Sequence, residues 1–64
     1  MSTSPLPEEA RNKLAQLSQK TTIPKLADKW GIDRRTLAEA YAGFAKRDAT
    51  RFMIEAKIKE ELAA

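Results

Sequence analysis

The amino-acid sequence predicts an all-α fold, a small domain of four or at most five helices. Ala and Leu dominate the apolar residues and Val is absent, so the residues that favour strands are scarce. Gly and Pro divide the chain into segments of helical length. A chain of 64 residues allows one domain with a small core. We therefore treat residues 1–64 as a single domain and expect residues 1–4 to be disordered.

The first helix is predicted to begin just after Pro7 and to end near Lys20. Proline suits the first turn of a helix, and the carboxylates of Glu8 and Glu9 favour the positive end of the helix dipole. Apolar residues then recur at helical spacing on one face. The predicted inward residues are Ala10, Leu14 and Leu17.

The second and third helices are predicted on either side of Gly31. The second runs from about Ile23 to Trp30, and glycine accepts the left-handed conformation in which many helices end. Asp33 is a strong N-cap for a third helix that we expect to reach about Lys46. The predicted inward residues are Leu26, Ala27 and Trp30 in the second helix, Ile32 in the turn, and Leu37, Ala40, Tyr41 and Phe44 in the third.

The fourth predicted helix, residues 49–62, has two apolar stripes on nearly opposite sides. We expect the first stripe to cover the core, and the second to be a dimer interface, because one helix of a small monomer cannot bury both. A frayed, loosely amphipathic tail is the alternative. The first stripe is Ala49, Phe52, Met53 and Ala56, and the second is Ile54, Ile58 and Leu62.

The basic residues are concentrated in the middle of the chain. The net charge is only +3, but residues 11–51 carry ten Lys or Arg against four Asp or Glu. This distribution favours a polyanionic partner, with a solvated lysine-rich surface as the equally weighted alternative.

Several classes of function are excluded by composition. The chain has no Cys and no His, which removes disulfides, thiol nucleophiles and the usual zinc sites. It also lacks a glycine-rich phosphate loop and a clustered carboxylate pair with a nearby base. We therefore expect no enzyme activity, metal, cofactor or small-molecule ligand. Because neither a membrane span nor a secretory signal is visible, we expect a cytoplasmic protein.

A helix, a tight turn and a second helix are the parts of a helix-turn-helix motif. Residues 22–41 resemble the motif of the Cro and repressor family of phage and plasmid regulators. Ala27 is the small residue four positions before Gly31 that lets the two helices approach closely. The apolar frame of the motif is filled by Leu26, Trp30, Ile32, Leu37 and Ala40. The resemblance implies a lambda-repressor-like fold, with the helix-turn-helix at residues 22–46 and double-stranded DNA as the partner.

The face of the third helix opposite its apolar stripe would then enter the major groove. An arginine can hydrogen-bond both O6 and N7 of guanine, and either Arg34 or Arg35 could instead bind a phosphate. Glu39 either accepts a hydrogen bond from cytosine or pairs with Arg35. The predicted base contacts are Arg34, Arg35, Ala38, Glu39 and Ala42. The predicted phosphate contacts are Thr22, Lys25, Lys29 and Thr36.

These expectations together predict a homodimeric repressor that binds a pseudo-palindromic operator and is nucleoid-associated in a prokaryotic host. A DNA-bending recombination accessory protein would share most of the same features. The alternative from another class is a helical protein-interaction module, an adaptor or inhibitor that binds an acidic protein.

Overall fold

The computed structural model describes residues 3–63, which form four helices joined by short connections and two very short strands. The prediction of a small, mostly helical fold is confirmed. The helices are α1 (Glu8–Lys20), α2 (Ile23–Trp30), α3 (Arg34–Ala42) and α4 (Asp48–Ala63), and the strands are β1 (Thr3–Ser4) and β2 (Lys46–Arg47).

The two strands were not predicted. They pair antiparallel, with Thr3 opposite Arg47 and Ser4 opposite Lys46. Leu6 follows β1 and is almost completely buried, so it fixes this N-terminal segment to the core. Of the segment 1–4 that we expected to be disordered, residues 3 and 4 lie in β1, and the first two lie outside the described residues.

The boundary between α2 and α3 matches the prediction. Thr22 is the N-cap of α2, and Gly31 ends the helix in the left-handed conformation with φ +72°. The amide of Ile32 donates a 2.9 Å hydrogen bond to the carbonyl oxygen of Ala27, which satisfies one of the carbonyls left unpaired at the helix end. The chain therefore changes direction at the position where the sequence breaks its helical pattern.

Helix α3 is shorter than predicted because a second glycine ends it. Gly43 has φ +98°, and the amide of Phe44 turns back to the carbonyl oxygen of Glu39 at 3.0 Å. The side chain of Phe44 consequently lies outside the helix and is 59% exposed, and that of Tyr41 is also exposed. The prediction that these two aromatic residues face the core is wrong.

The core lies where the four helices meet. Helix α2 packs mainly on α3, and α1 packs on α4 and α3. Leu17 and Ile23 are partly buried at the margin of the core. The buried apolar residues are Leu6, Ala10, Leu14, Leu26, Ala27, Trp30, Ile32, Leu37, Ala40, Ile54 and Ile58.

Helix α4 is rotated so that the opposite face from the predicted one is buried. Ile54 and Ile58 are 0% and 2% exposed, while Phe52 and Met53 lie on the surface. The predicted dimer interface of Ile54, Ile58 and Leu62 is therefore corrected: its two isoleucines belong to the core of the monomer. The two stripes are similar in apolar content, so the helix alone does not decide between them. Strand β2 ends immediately before α4, so its pairing with β1 constrains where the first turn of α4 lies.

Among residues 3–63, no helix is both long enough and apolar enough to cross a lipid bilayer.

Candidate nucleic-acid interface

The N-terminus of α3 is built around the side chain of Asp33. Its carboxylate accepts a hydrogen bond from the amide of Thr36 at 3.2 Å and a longer one from the hydroxyl of the same residue at 3.4 Å. This is the expected N-cap geometry, and it gives one of the unpaired amides of the first turn a partner. Thr36 is half-buried and its hydroxyl is directed to the cap, so it is poorly placed for the phosphate contact predicted for it.

Arg34 forms a two-pronged ion pair across the turn with Asp28, near the end of α2. Its Nε donates to Oδ1 at 3.1 Å and its Nη2 to Oδ2 at 2.7 Å. The hydrogen bond from Arg34 is the main reason that the pKa of Asp28 lies below its usual value, and the same contact raises the pKa of Arg34. Both side chains are more than half exposed, so water screens the pair. The guanidinium therefore remains accessible to another bidentate acceptor.

Arg35 is the most accessible predicted base contact. Its side chain is 86% exposed, and within residues 3–63 its ion pair is a 3.3 Å contact from Nε to Glu39, one turn further along α3. Glu39 also accepts a short hydrogen bond from Lys46 in β2. That bond from Lys46 is the largest cause of the lowered pKa of Glu39, with a smaller contribution from Arg35. Glu39 is thus tied to its own chain, which favours the predicted pairing with Arg35 over a contact to cytosine.

The alanines predicted to approach the bases lie on the same side of α3 as the arginines. Ala38 and Ala42 are exposed, whereas Leu37 and Ala40 are fully buried. Leu37 and Ala40 therefore lie on the inner face as predicted, whereas Tyr41, which was also predicted to face inward, is exposed. Small side chains on the outer face leave its backbone unobstructed.

The predicted phosphate contacts on α2 differ in accessibility. Lys25 is exposed and makes no ion pair within residues 3–63, and Thr22 is an exposed N-cap whose hydroxyl caps no amide. Lys29 instead reaches α4, where its Nζ lies 2.7 Å from a carboxylate oxygen of Glu61. The hydrogen bond from Lys29 is the main cause of the lowered pKa of Glu61.

Asp28 and Lys46 belong to the neighbourhood of this surface and were not predicted. Asp28 lies six positions before Arg34, a spacing that no single helix brings together, and the turn at Gly31 makes the contact possible. Lys46 was expected at the end of α3, but it lies in β2 beyond Gly43. The Asp28 contact depends on how α2 and α3 pack across the turn, and locating Lys46 required the second glycine to be interpreted as a helix end.

Arg34 and Arg35 lie at the positive end of the α3 dipole. No carboxylate occupies the first turn of this helix, which is where acidic residues stabilise a helix most. The carboxylates of Asp33 and Asp28 offset part of this positive charge, and the two exposed guanidinium groups are the hydrogen-bond donors that an anion would meet here. The arrangement can bind a phosphate or an electronegative base edge.

Among the described residues, no group of three acidic, histidine or cysteine side chains is placed to hold a metal ion. Comparisons of this chain with protein-family models, with curated proteins and with solved structures find no match.

Proposed function

We propose that this chain is a sequence-specific double-stranded DNA-binding protein of the helix-turn-helix type, in which α3 is the recognition helix. The observation that carries the proposal is the placement of two exposed arginines at the first two positions of a helix that follows a tight left-handed turn. Cations at this end of a helix lower its stability, so their position calls for a functional reason. Duplex DNA supplies both phosphates and guanine edges as ligands for guanidinium groups.

The packing of α2 against α3 supports the same proposal. Ala27 is fully buried where the chain turns towards α3, as the small residue of a helix-turn-helix should be. Trp30 and Ile32 are buried on either side of Gly31 and anchor the turn. The outer side of α3 carries no large apolar residue between Arg34 and Ala42 except Tyr41 at its edge. A helix with this shape can lie in the major groove.

The arginines must exchange their partners when DNA binds. Arg34 gives up Asp28 for a guanine or a phosphate, and Arg35 gives up its long contact to Glu39. Both pairs are exposed, so little stability is lost in the exchange. Because Arg35 makes the weaker contact, we assign the base-specific role to Arg35 first and a base or phosphate contact to Arg34.

As a biological role we propose transcriptional repression, with a dimer that occupies a pseudo-palindromic operator and excludes RNA polymerase in the cytoplasm of a prokaryotic host. The exposed apolar side chains of Phe44, Phe52 and Met53 favour the second candidate, a protein-interaction module that binds an acidic protein. Only the DNA-binding role predicts an affinity that depends on the base sequence of a duplex, so this dependence separates the two roles.

The test is selection of a preferred duplex from a random pool, followed by binding measurements on single-base variants. Arg35→Ala should reduce discrimination at one G·C base pair by about ten- to a hundredfold. Lys13→Ala is the matched control, since it removes the same charge from a different helix, α1, where Lys13 pairs with Glu9. If the selection yields no preferred sequence, α3 is not a recognition helix. The same conclusion follows if Arg35→Ala discriminates between the duplexes as well as Lys13→Ala does.

A further inference from the structure

The outer face of α4 carries an apolar strip that has no partner within the described chain. The strip consists of Ala49, Phe52, Met53 and Ala56, all of them exposed. Phe52 is 58% and Met53 is 42% exposed, although each is large enough to contribute to a core. The ring of Phe52 is held against α4 by the guanidinium of Arg51, whose Cζ lies 4.8 Å from the ring centroid.

We propose that this strip pairs with the same strip of a second copy of the chain, with the two α4 helices antiparallel across a two-fold axis. The order of side chains along the strip is palindromic: a small residue, two large ones and a small one, at intervals of three, one and three. In a two-fold interface residue i contacts residue j and j contacts i, so this order lets the large residues of the two copies meet one another and the small residues meet one another. With the axis between residues 52 and 53, Phe52 faces Met53 of the second copy and Ala49 faces Ala56.

The alanines at the two ends of the strip allow the helices to approach closely. Interaxial distances between packed helices depend on the side chains at the contact, and small residues give the shortest ones. The large side chains are confined to the middle, where each fills the space beside the other copy's pair. An unrelated apolar partner would not require this symmetry.

Charges at the margins of the strip are complementary in the antiparallel arrangement. Arg47 precedes α4, is exposed and makes no ion pair within residues 3–63. Glu60 lies near the other end of the same face and is 70% exposed, and its ion pair among the described residues is a 3.6 Å contact to Lys57. The proposed axis places Arg47 of one copy at the level of Ile58 in the other. Glu60 lies two residues further on, or roughly 3 Å along the helix.

The size of the strip predicts a weak dimer. With about 200 Å² for a whole aromatic or methionine side chain, the exposed parts of Phe52 and Met53 together provide roughly 200 Å² per copy. A stable interface buries about 800 Å² per partner, so the two large side chains cover only about a quarter of that area and the pairing must be weak. We expect a dissociation constant of about 10–100 µM.

Sedimentation equilibrium without DNA, from 5 to 500 µM protein, tests the pairing independently of the proposed function. The wild type should rise from the monomer mass of 7.2 kDa towards twice that value. Met53→Lys should remain monomeric throughout. Leu62→Lys is the matched control, because Leu62 is an equally exposed apolar residue of α4 outside the strip, and it should behave as the wild type. A monomeric wild type at 500 µM overturns the proposal, as does association of Met53→Lys.

The register has a separate test, since the chain contains no native cysteine. Residues 49 and 56 are two turns apart on one helix, too far for an intrachain disulfide. Under oxidation, Ala49→Cys combined with Ala56→Cys should therefore give a covalent dimer, whereas either single variant should not. Efficient dimerisation of Ala49→Cys alone would indicate a parallel pair and overturn the antiparallel arrangement. Circular dichroism of each variant checks that the helices are intact.

Discussion

At the scale of single residues, the start of α3 combines groups that oppose one another. Arg34 and Arg35 place positive charge at the positive end of the helix, and the carboxylates of Asp28 and Asp33 lie beside them. Asp33 stabilises the helix as its N-cap, whereas Asp28 contributes through its contact with Arg34. A negative charge at Asp28 also repels DNA phosphates. If this surface binds DNA as proposed, we therefore expect Asp28 to limit its affinity.

Replacing Asp28 by asparagine should strengthen DNA binding. The change removes one negative charge and weakens the hold on Arg34, so we expect about three- to tenfold higher affinity for a random 20-base-pair duplex at low salt. Fluorescence anisotropy over a series of KCl concentrations measures this change. Glu9→Gln, which removes the same charge from α1, is the control and should leave the affinity nearly unchanged. An equal gain in both variants would show that only net charge matters.

Gly31 should tolerate a side chain only at a cost in stability. Its φ of +72° is unfavourable for residues with a Cβ atom, but apart from the adjoining residues no described atom would lie within 4 Å of that Cβ. Gly31→Ala should therefore lower the free energy of unfolding by about 1 kcal/mol through backbone strain alone. Gly31→Asn should cost less, because asparagine accepts the left-handed region more readily. Urea denaturation followed by circular dichroism measures both, and equal stability of Gly31→Ala and wild type would contradict the turn.

At the scale of helices, α4 shows how two apolar stripes compete for one core. Ile54 and Ile58 fill the space between α4 and the other helices, and the strip with Phe52 and Met53 is left in solvent. A single buried face is enough to hold the helix in place. The second face stays on the surface and is the one for which we propose pairing with a second copy.

Truncation on the two faces of α4 should have very different effects. Ile54→Ala leaves a cavity in the core and should lower the free energy of unfolding by about 2–5 kcal/mol. Phe52→Ala removes a larger side chain from the surface and should lower it by less than about 1 kcal/mol. Urea titrations at 5 µM protein, below the expected dissociation constant of the dimer, compare the stabilities of the monomers. Similar losses in the two variants would contradict the orientation of the helix.

The contact between α2 and α4 should make stability fall in acid. The pKa of Glu61 is held below its ordinary value of 4.5, mainly by the hydrogen bond from Lys29. Because the folded-state pKa is the lower one, the contribution of Glu61 is complete above about pH 4.5 and is lost as the pH falls through the folded-state pKa. Glu61→Gln should flatten the decline in unfolding free energy between pH 5 and pH 3.

Glu60→Gln is the matched control for this pH dependence, since it removes a carboxylate from the same helix outside the contact with Lys29. Part of the slope should remain in Glu61→Gln, because the pKa values of Asp28 and Glu39 are also lowered, by Arg34 and Lys46 respectively. If Glu61→Gln follows the wild-type curve, the Lys29 contact contributes nothing to folding.

At the scale of the whole molecule, one copy is too small to bind two half-sites. The chain measures 33 × 21 × 17 Å and presents α3 once. Its radius of gyration of 10.6 Å matches the value of about 10.7 Å expected of a compact chain of this length. Half-sites one helical turn apart are separated by about 34 Å, so an operator of this kind requires two copies.

The spacing between half-sites should therefore control binding. Insertion of five base pairs turns one half-site to the opposite side of the duplex, and we expect the affinity of the wild type to fall at least about tenfold. Met53→Lys, which cannot pair through α4, should bind both spacings equally and with the affinity of a single half-site. Anisotropy titrations on the two duplexes measure the ratio. A wild type indifferent to spacing would show that the copies bind independently.

The sequence by itself determined the features that depend on neighbouring residues. Gly31 and Asp33 mark the end of one helix and the start of the next through backbone conformation and capping, so the bounds of α2 and the start of α3 follow from them. The outward position of Arg34 and Arg35 follows from the helical period once Leu37 and Ala40 face inward.

Only the tertiary structure decided which face of α4 is buried, how β1 meets β2, and which carboxylate each arginine contacts. The stripes of α4 are similar in hydrophobicity, so the choice depends on how well Ile54 and Ile58 fit against the other helices, which no local signal records. The contact between Arg34 and Asp28 likewise exists only after two helices have been folded onto each other across Gly31. Short-range chemistry sets where helices begin and end, and packing in three dimensions sets what they touch.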